Sequence, residues 1–127
     1  MRATIHKYLA DKCQTVHTWL QPHRPHKIDP KNPQPWGVIE IGEETPAPFN
    51  RAGRFQSISV WLYFPEGSFV PVDAAVDEVK RLLHNAELTG TNGRRFALEW
   101  DQTMRDYYDP DLQAVGKRID FRIPRGG

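Results

Sequence analysis

The chain has 127 residues, 39% of them apolar and 26% charged, and a formal net charge of +1. That length fits a single domain, 1–127, with one real core, and the near-zero charge excludes a strong general attraction to nucleic acid. A lone cysteine, Cys13, excludes an intrachain disulfide and fits a reducing compartment.

The first element is an amphipathic helix expected over residues 3–20. Ile5, Leu9, Cys13, Val16 and Leu20 recur at spacings of four and three, with Tyr8 and Trp19 beside the stripe. Thr4 is a suitable N-cap, and Pro22 ends the helix because proline cannot continue the backbone ladder. Residues 21–35 hold five prolines and two histidines, which predicts a long extended loop. Residues 36–42 alternate as a strand, and 43–54 read as a polar, turn-rich loop containing Pro46, Pro48 and Gly53.

Residues 54–64 carry the strongest strand pattern. Gln56, Ile58, Val60, Leu62 and Phe64 share one face, which is the expected core face. Phe55, Ser57, Ser59, Trp61 and Tyr63 share the other, which suits a partly covered surface. After a turn at 65–71, a second helix is expected from Asp73 to about Asn85, burying Val76, Val79, Leu82 and Leu83. Its early acids and late bases complement the helix dipole. Alternation then predicts strands at 95–102 and 114–123, separated by an acidic, aromatic loop at 103–113. The expected fold is α+β, a mostly antiparallel four-stranded sheet with two helices in the order α-β-β-α-β-β.

Charge is uneven along the chain. Residues 1–31 hold six Lys or Arg against Asp11 and Asp29, which leaves eleven bases and fourteen acids, a net of −3, for the remainder. A basic N-terminal third on an acidic body fits opposite-sign contact surfaces. No apolar run approaches the roughly 20 residues of a membrane span. The first residues also lack a signal peptide's apolar stretch. The expectation is a soluble cytoplasmic protein without a membrane partner.

Searching for chemistry finds no catalytic motif. Neither G-x-S-x-G nor CxxC occurs. Cys13 sits on the apolar helix stripe, where core packing explains it. His23 and His26 have a spacing zinc can use, but no further ligand pair completes a site. Asp101, Asp106, Asp109 and Asp111 lack the calcium-loop pattern. No cofactor or metal is expected. Arg94, Arg95 and Trp100 make the best basic–aromatic set and define a second reading, a small nucleic-acid-binding module. The remaining aromatics at loops, Phe49, Tyr107 and Tyr108 among them, suit contact surfaces.

The chain resembles the tail terminator, or tail completion (head–tail joining), proteins of long-tailed bacteriophages. The resemblance rests on the N-terminal helix, the segment PWGVIEIGEETPAP, the long strand RFQSISVWLYF, the helix DAAVDEVKRLLHN and the late strand KRIDFRI. It implies a non-enzymatic virion protein, assembled in the host cytoplasm and placed at the head-proximal end of the tail. It further implies a ring of copies, commonly a hexamer, capping the major tail tube protein and offering a surface to the head–tail connector protein. Genomic DNA would pass through the lumen without sequence readout. Within that frame the segment 43–54 is the expected contact arm, with Glu43 and Glu44 at one end and Arg51 and Arg54 at the other. Phe49, Tyr107 and Tyr108 are the expected aromatic contacts.

Overall fold

A computed structural model describes residues 1–22, 34–47, 50–65 and 69–125. The Pro-rich segment expected to run extended over 21–35 lies mostly outside them. Helix α1 (Arg2–Lys12) begins at Met1 rather than Thr4 and buries Ile5 and Leu9. It stops eight residues earlier than the periodicity predicts. The cause is a distant carboxylate: Glu78 accepts the backbone N–H of Gln14 at 2.6 Å and the hydroxyl of Thr15. The β-branched residues Thr15, Val16 and Thr18 are weak helix formers, so the competing acceptor prevails. Val16, Trp19 and Leu20 are buried all the same, the first two from turns and Leu20 from a short strand.

Strand β1 (Leu20–Gln21) pairs in parallel with the start of β2 (Trp36–Ala47), Leu20 opposite Gly37 and Gln21 opposite Val38. Strand β2 pairs antiparallel with β3 (Asn50–Pro65). Helix α2 (Val70–Leu83) starts three residues before the expected Asp73, with Phe69 as N-cap and Pro71 in its first turn, where a missing N–H costs nothing. It buries Val72, Ala75, Val76, Val79 and Leu83, and the chain turns away at Asn85, whose φ is +63°.

The expected strand 95–102 is two strands in two sheets. Strands β4 (Glu87–Thr89) and β5 (Arg95–Ala97) form a small hairpin, while β6 (Glu99–Thr103) joins the main sheet. The break falls at Leu98, which is fully buried, donates its N–H to Ala86 at 3.1 Å and accepts that of Asn85 at 2.7 Å. The expected loop 103–113 contains β7 (Tyr107–Asp109), which pairs with β8 (Ala114–Arg125). The main sheet therefore has six strands rather than four, in the order β1-β2-β3-β8-β6 with β7 also on β8. The two helices, the α+β class and the predominance of antiparallel pairing agree with the sequence reading.

Both helices lie on one face of this sheet. Ile39, Ile58, Val60, Leu62, Ile119, Phe121 and Ile123 meet Ile5, Leu9, Val72, Val79 and Leu83 in one continuous core. Burying each such side chain stabilises the fold by about 1.5–3 kcal/mol. The predicted core face of the long strand is thus correct, with Ile58, Val60 and Leu62 fully buried and Gln56 also inside. The opposite face carries no helix among the described residues.

Candidate functional site

Three surfaces come out of this architecture. The first is the far end of the β2–β3 hairpin. Residues 43–47 and 50–54, expected as part of a loop, are strand: the ladder continues through Thr45–Phe55 and Pro46–Arg54 to Ala47–Asn50. Cross-strand pairing supplies the hydrogen bonds that a turn-rich composition hides. A register shift between Ile41 and Glu44 leaves Gly42 and Glu43 as a bulge. The buried Gln56 amide fills it by donating to the Gly42 carbonyl at 2.7 Å, and such a bulge twists the hairpin beyond it. Glu43, Glu44 and Arg54 are exposed here, and Glu44 approaches Arg54 at 3.9 Å. Arg51 is a β3 position on the same arm, and Phe49 lies outside the described residues.

The second surface is β7 and the turn after it. Tyr107 and Tyr108 are 37% and 54% exposed, so large aromatic area meets water. The platform is held firmly. The Tyr107 hydroxyl donates to Asp109 Oδ2 at 3.2 Å, and Asp109 Oδ1 accepts the backbone N–H groups of Asp111 and Leu112. Tyr107 meets the ring of Trp61 edge-on, with centroids 6.4 Å apart. Lys117 anchors the approach to β7 by bonding Asp106 at 3.1 Å and Asp73 of α2 at 2.8 Å. Its pKa is raised, chiefly by the hydrogen bond to Asp73. The structure does not bring these tyrosines to the arm. Tyr107 and Tyr108 flank Gly116 and Val115 of β8, opposite Tyr63 and Phe64 of β3, whereas the arm starts at Arg54. Ten residues of strand separate the two, about 33 Å.

The third surface is the helix-free sheet face. Trp61 stacks on Tyr63 with rings nearly parallel, 6.0 Å between centroids. Arg118 lies over Trp61 and Arg122 over Phe55. Asp120, only 6% exposed, accepts from Ser59 at 2.8 Å and from Gln102 at 3.0 Å, with Arg118 Nε also 2.8 Å away. Glu99 accepts from Arg122 at 3.1 Å. Each of these two arginines is matched by a carboxylate, so the face offers little free positive charge.

Of the basic–aromatic set of the second reading, Arg94 and Arg95 are exposed on and beside the small hairpin, and Trp100 is partly covered. Arg95 lies on the small hairpin near Glu87 at 3.8 Å. Lys80 covers the Trp100 ring, and the Trp100 indole donates to Thr103. No base-stacking platform is left open at Trp100.

The described residues contain no group of three or more His, Cys, Asp or Glu able to hold a metal ion. Burial raises the Cys13 pKa, keeping the thiol protonated, the opposite of a reactive thiolate. A cleft of about 440 Å³ lies between α1 and the β4–β5 hairpin, lined by Lys7, Tyr8, Asp11 and Leu88 among others. No helix of the described residues is long and apolar enough to cross a membrane.

The architecture is that of an α+β protein built on one six-stranded sheet with a separate two-stranded hairpin. Neither a scan of protein-family models nor a search of curated proteins finds a match. Among solved structures, a chain of the virion of a native gene transfer agent particle has the same fold. It is 14% identical, the alignment covers all of this chain and 95% of that one, and the TM-score is 0.67.

Proposed function

We propose that this chain is a structural protein of a phage-like virion and acts as its tail terminator. The observation that carries this reading is the end-to-end fold likeness to a virion chain, with little left over on either side. The surfaces support it: exposed features are an arm and an aromatic edge, which suit protein contacts, while the arginines of the helix-free face are internally paired. In this reading copies close into a ring, as six subunits in the resembled family, on the last ring of the major tail tube protein. The ring stops tube growth and receives the head–tail connector protein, and genomic DNA crosses its lumen without sequence readout. A closed ring needs a heterologous contact, one patch meeting a different patch on the neighbour, and this chain has unlike surfaces to offer.

The test is genetic and structural. A stop codon placed early in the gene is expected to yield heads without attached tails and tubes of unregulated length. Complementation with the intact gene restores uniform particles. Normal particles from the stop mutant would count decisively against the assignment.

A further inference from the structure

Exposed positive charge gathers where α1 lies against the β4–β5 hairpin. Arg2, Lys7, Lys12, Arg94 and Arg95 are all exposed on these elements and the turn between the hairpin strands, against Asp11 and Glu87. Glu87 takes Arg95 at 3.8 Å. Among the described residues Arg2, Lys7, Lys12 and Arg94 have no carboxylate within ion-pair distance. The cleft of about 440 Å³ opens in this surface. Ala3, Leu88 and the Tyr8 ring give it an apolar lining, with Lys7 and Asp11 beside them. Such a cleft suits an aromatic ring with a polar end. An entering hydroxyl has Asp11 to donate to, and a carboxylate next to it has Lys7 to pair with.

The chain carries a group of that chemistry. From Glu99 to Asp111 it has five acids and one base, Arg105. Arg122 takes Glu99 and Lys117 takes Asp106. Asp101 and Asp111 stay exposed and without an ion pair among the described residues. Tyr108 of β7 is 54% exposed, more than any other described aromatic side chain. Asp109 fixes the turn from Tyr108 to Asp111 by accepting the N–H groups of Asp111 and Leu112.

We infer that the Tyr108–Asp111 turn of one copy docks in the α1–hairpin cleft of a second copy of this chain. This contact rests on the ring reading above and specifies it. Charge complementarity selects the occupant, since a basic rim meets an acidic turn. A nucleic-acid backbone would bring phosphates to the rim but nothing for the apolar lining. The two patches belong to opposite ends of α2. At its C-terminal end the Tyr8 hydroxyl donates to the Leu82 carbonyl. In its first turn Asp73 shares Lys117 with Asp106, just before β7. The nine residues from Asp73 to Leu82 span about 14 Å of helix. Unlike patches set apart in this way make a heterologous contact, which propagates from copy to copy and can close.

The test uses three full-length variants, Lys7→Glu/Arg94→Glu, Asp111→Lys and Tyr108→Ala, in sedimentation velocity at low salt. Circular dichroism first confirms that all three melt like the native chain, as exposed changes should. Each variant alone is expected to self-associate roughly tenfold more weakly than the native chain. Mixing the first two in equal amounts is expected to recover association, because the reversed rim of one matches the reversed turn of the other. Tyr108→Ala is expected to gain nothing from mixing with Lys7→Glu/Arg94→Glu. Native-like association by any variant alone overturns the inference, as does a charge-swapped mixture that stays dissociated. A native chain that remains monomeric at low salt and high concentration also overturns it, while leaving the virion reading to its own genetic test. If Lys7→Glu/Arg94→Glu instead loses binding to a short DNA duplex while its self-association is unchanged, the basic surface serves nucleic acid and the inference fails.

Discussion

The two faces of the main sheet solve different problems with the same strands. On the helix-covered face Ile58, Val60, Leu62, Ile119 and Phe121 are sealed under α1 and α2, and apolar burial does the stabilising. On the helix-free face the alternate positions Ser57, Ser59 and Trp61 are only partly covered, and a lattice of Ser59, Gln102, Arg118 and Asp120 ties the strands together. The first face is tolerant of exact shape only within packing limits. The second depends on complete partnering, because a half-satisfied polar group in a low dielectric is costly.

Substitutions can break or sharpen the contrast. The largest loss is expected from Phe121→Ala on the covered face, about 3–5 kcal/mol by chemical denaturation, through lost burial plus the cavity left behind. On the other face Asp120→Ala should cost about 1–3 kcal/mol, because Ser59 and Gln102 lose a shared acceptor and Arg118 loses its nearby carboxylate. Gly116→Ala should cost a similar amount, about 1–3 kcal/mol, since its Cβ would come within 2.9 Å of the Leu62 carbonyl oxygen and crowd Tyr63. If Asp120→Ala proved as harmful as Phe121→Ala, the division between the faces would not hold.

A smaller effect, about 1 kcal/mol, is expected for Glu78→Gln, and it carries a pH signature. The Thr15 hydroxyl, with the Gln14 N–H, holds the Glu78 pKa below the ordinary carboxylate value. The folded state therefore gains stability from this carboxylate above the ordinary range, and loses it as pH falls through that range to the lowered value. Thermal melts across acidic pH should show a shallower acid limb for the glutamine variant. The smallest stability change, under about 0.5 kcal/mol, is expected for Glu44→Ala at the exposed arm. If the arm is a contact surface, this variant melts normally yet assembles poorly into particles.

Much of this plan was legible in the residues, and the misreadings share a cause. The two faces of 54–64 follow from period-two alternation, which depends only on local backbone geometry. Helix α1 was misjudged because its end is set by Glu78, 63 residues from Thr15. The break at Leu98 is invisible in a pattern that alternates straight through it, since its signal is the bonding of Leu98 to Asn85 and Ala86. The arm was misread as a loop because Pro46 and Gly53 outweighed the pairing that only a partner strand reveals. Of the expected contact residues, Glu43, Glu44 and Arg54 do gather on one arm, and Tyr107 and Tyr108 do form an exposed edge. Their separation to opposite ends of the sheet required the β7–β8 register, which Tyr-Tyr-Asp does not announce.

The most direct test of the whole account is to locate this protein in the assembled particle. Cryo-electron microscopy of virions carrying an epitope on this chain, labelled with the matching antibody fragment, should show density in one ring at the junction of head and tail. Particles that bind the fragment elsewhere, or not at all while the protein accumulates free in the lysate, would contradict it.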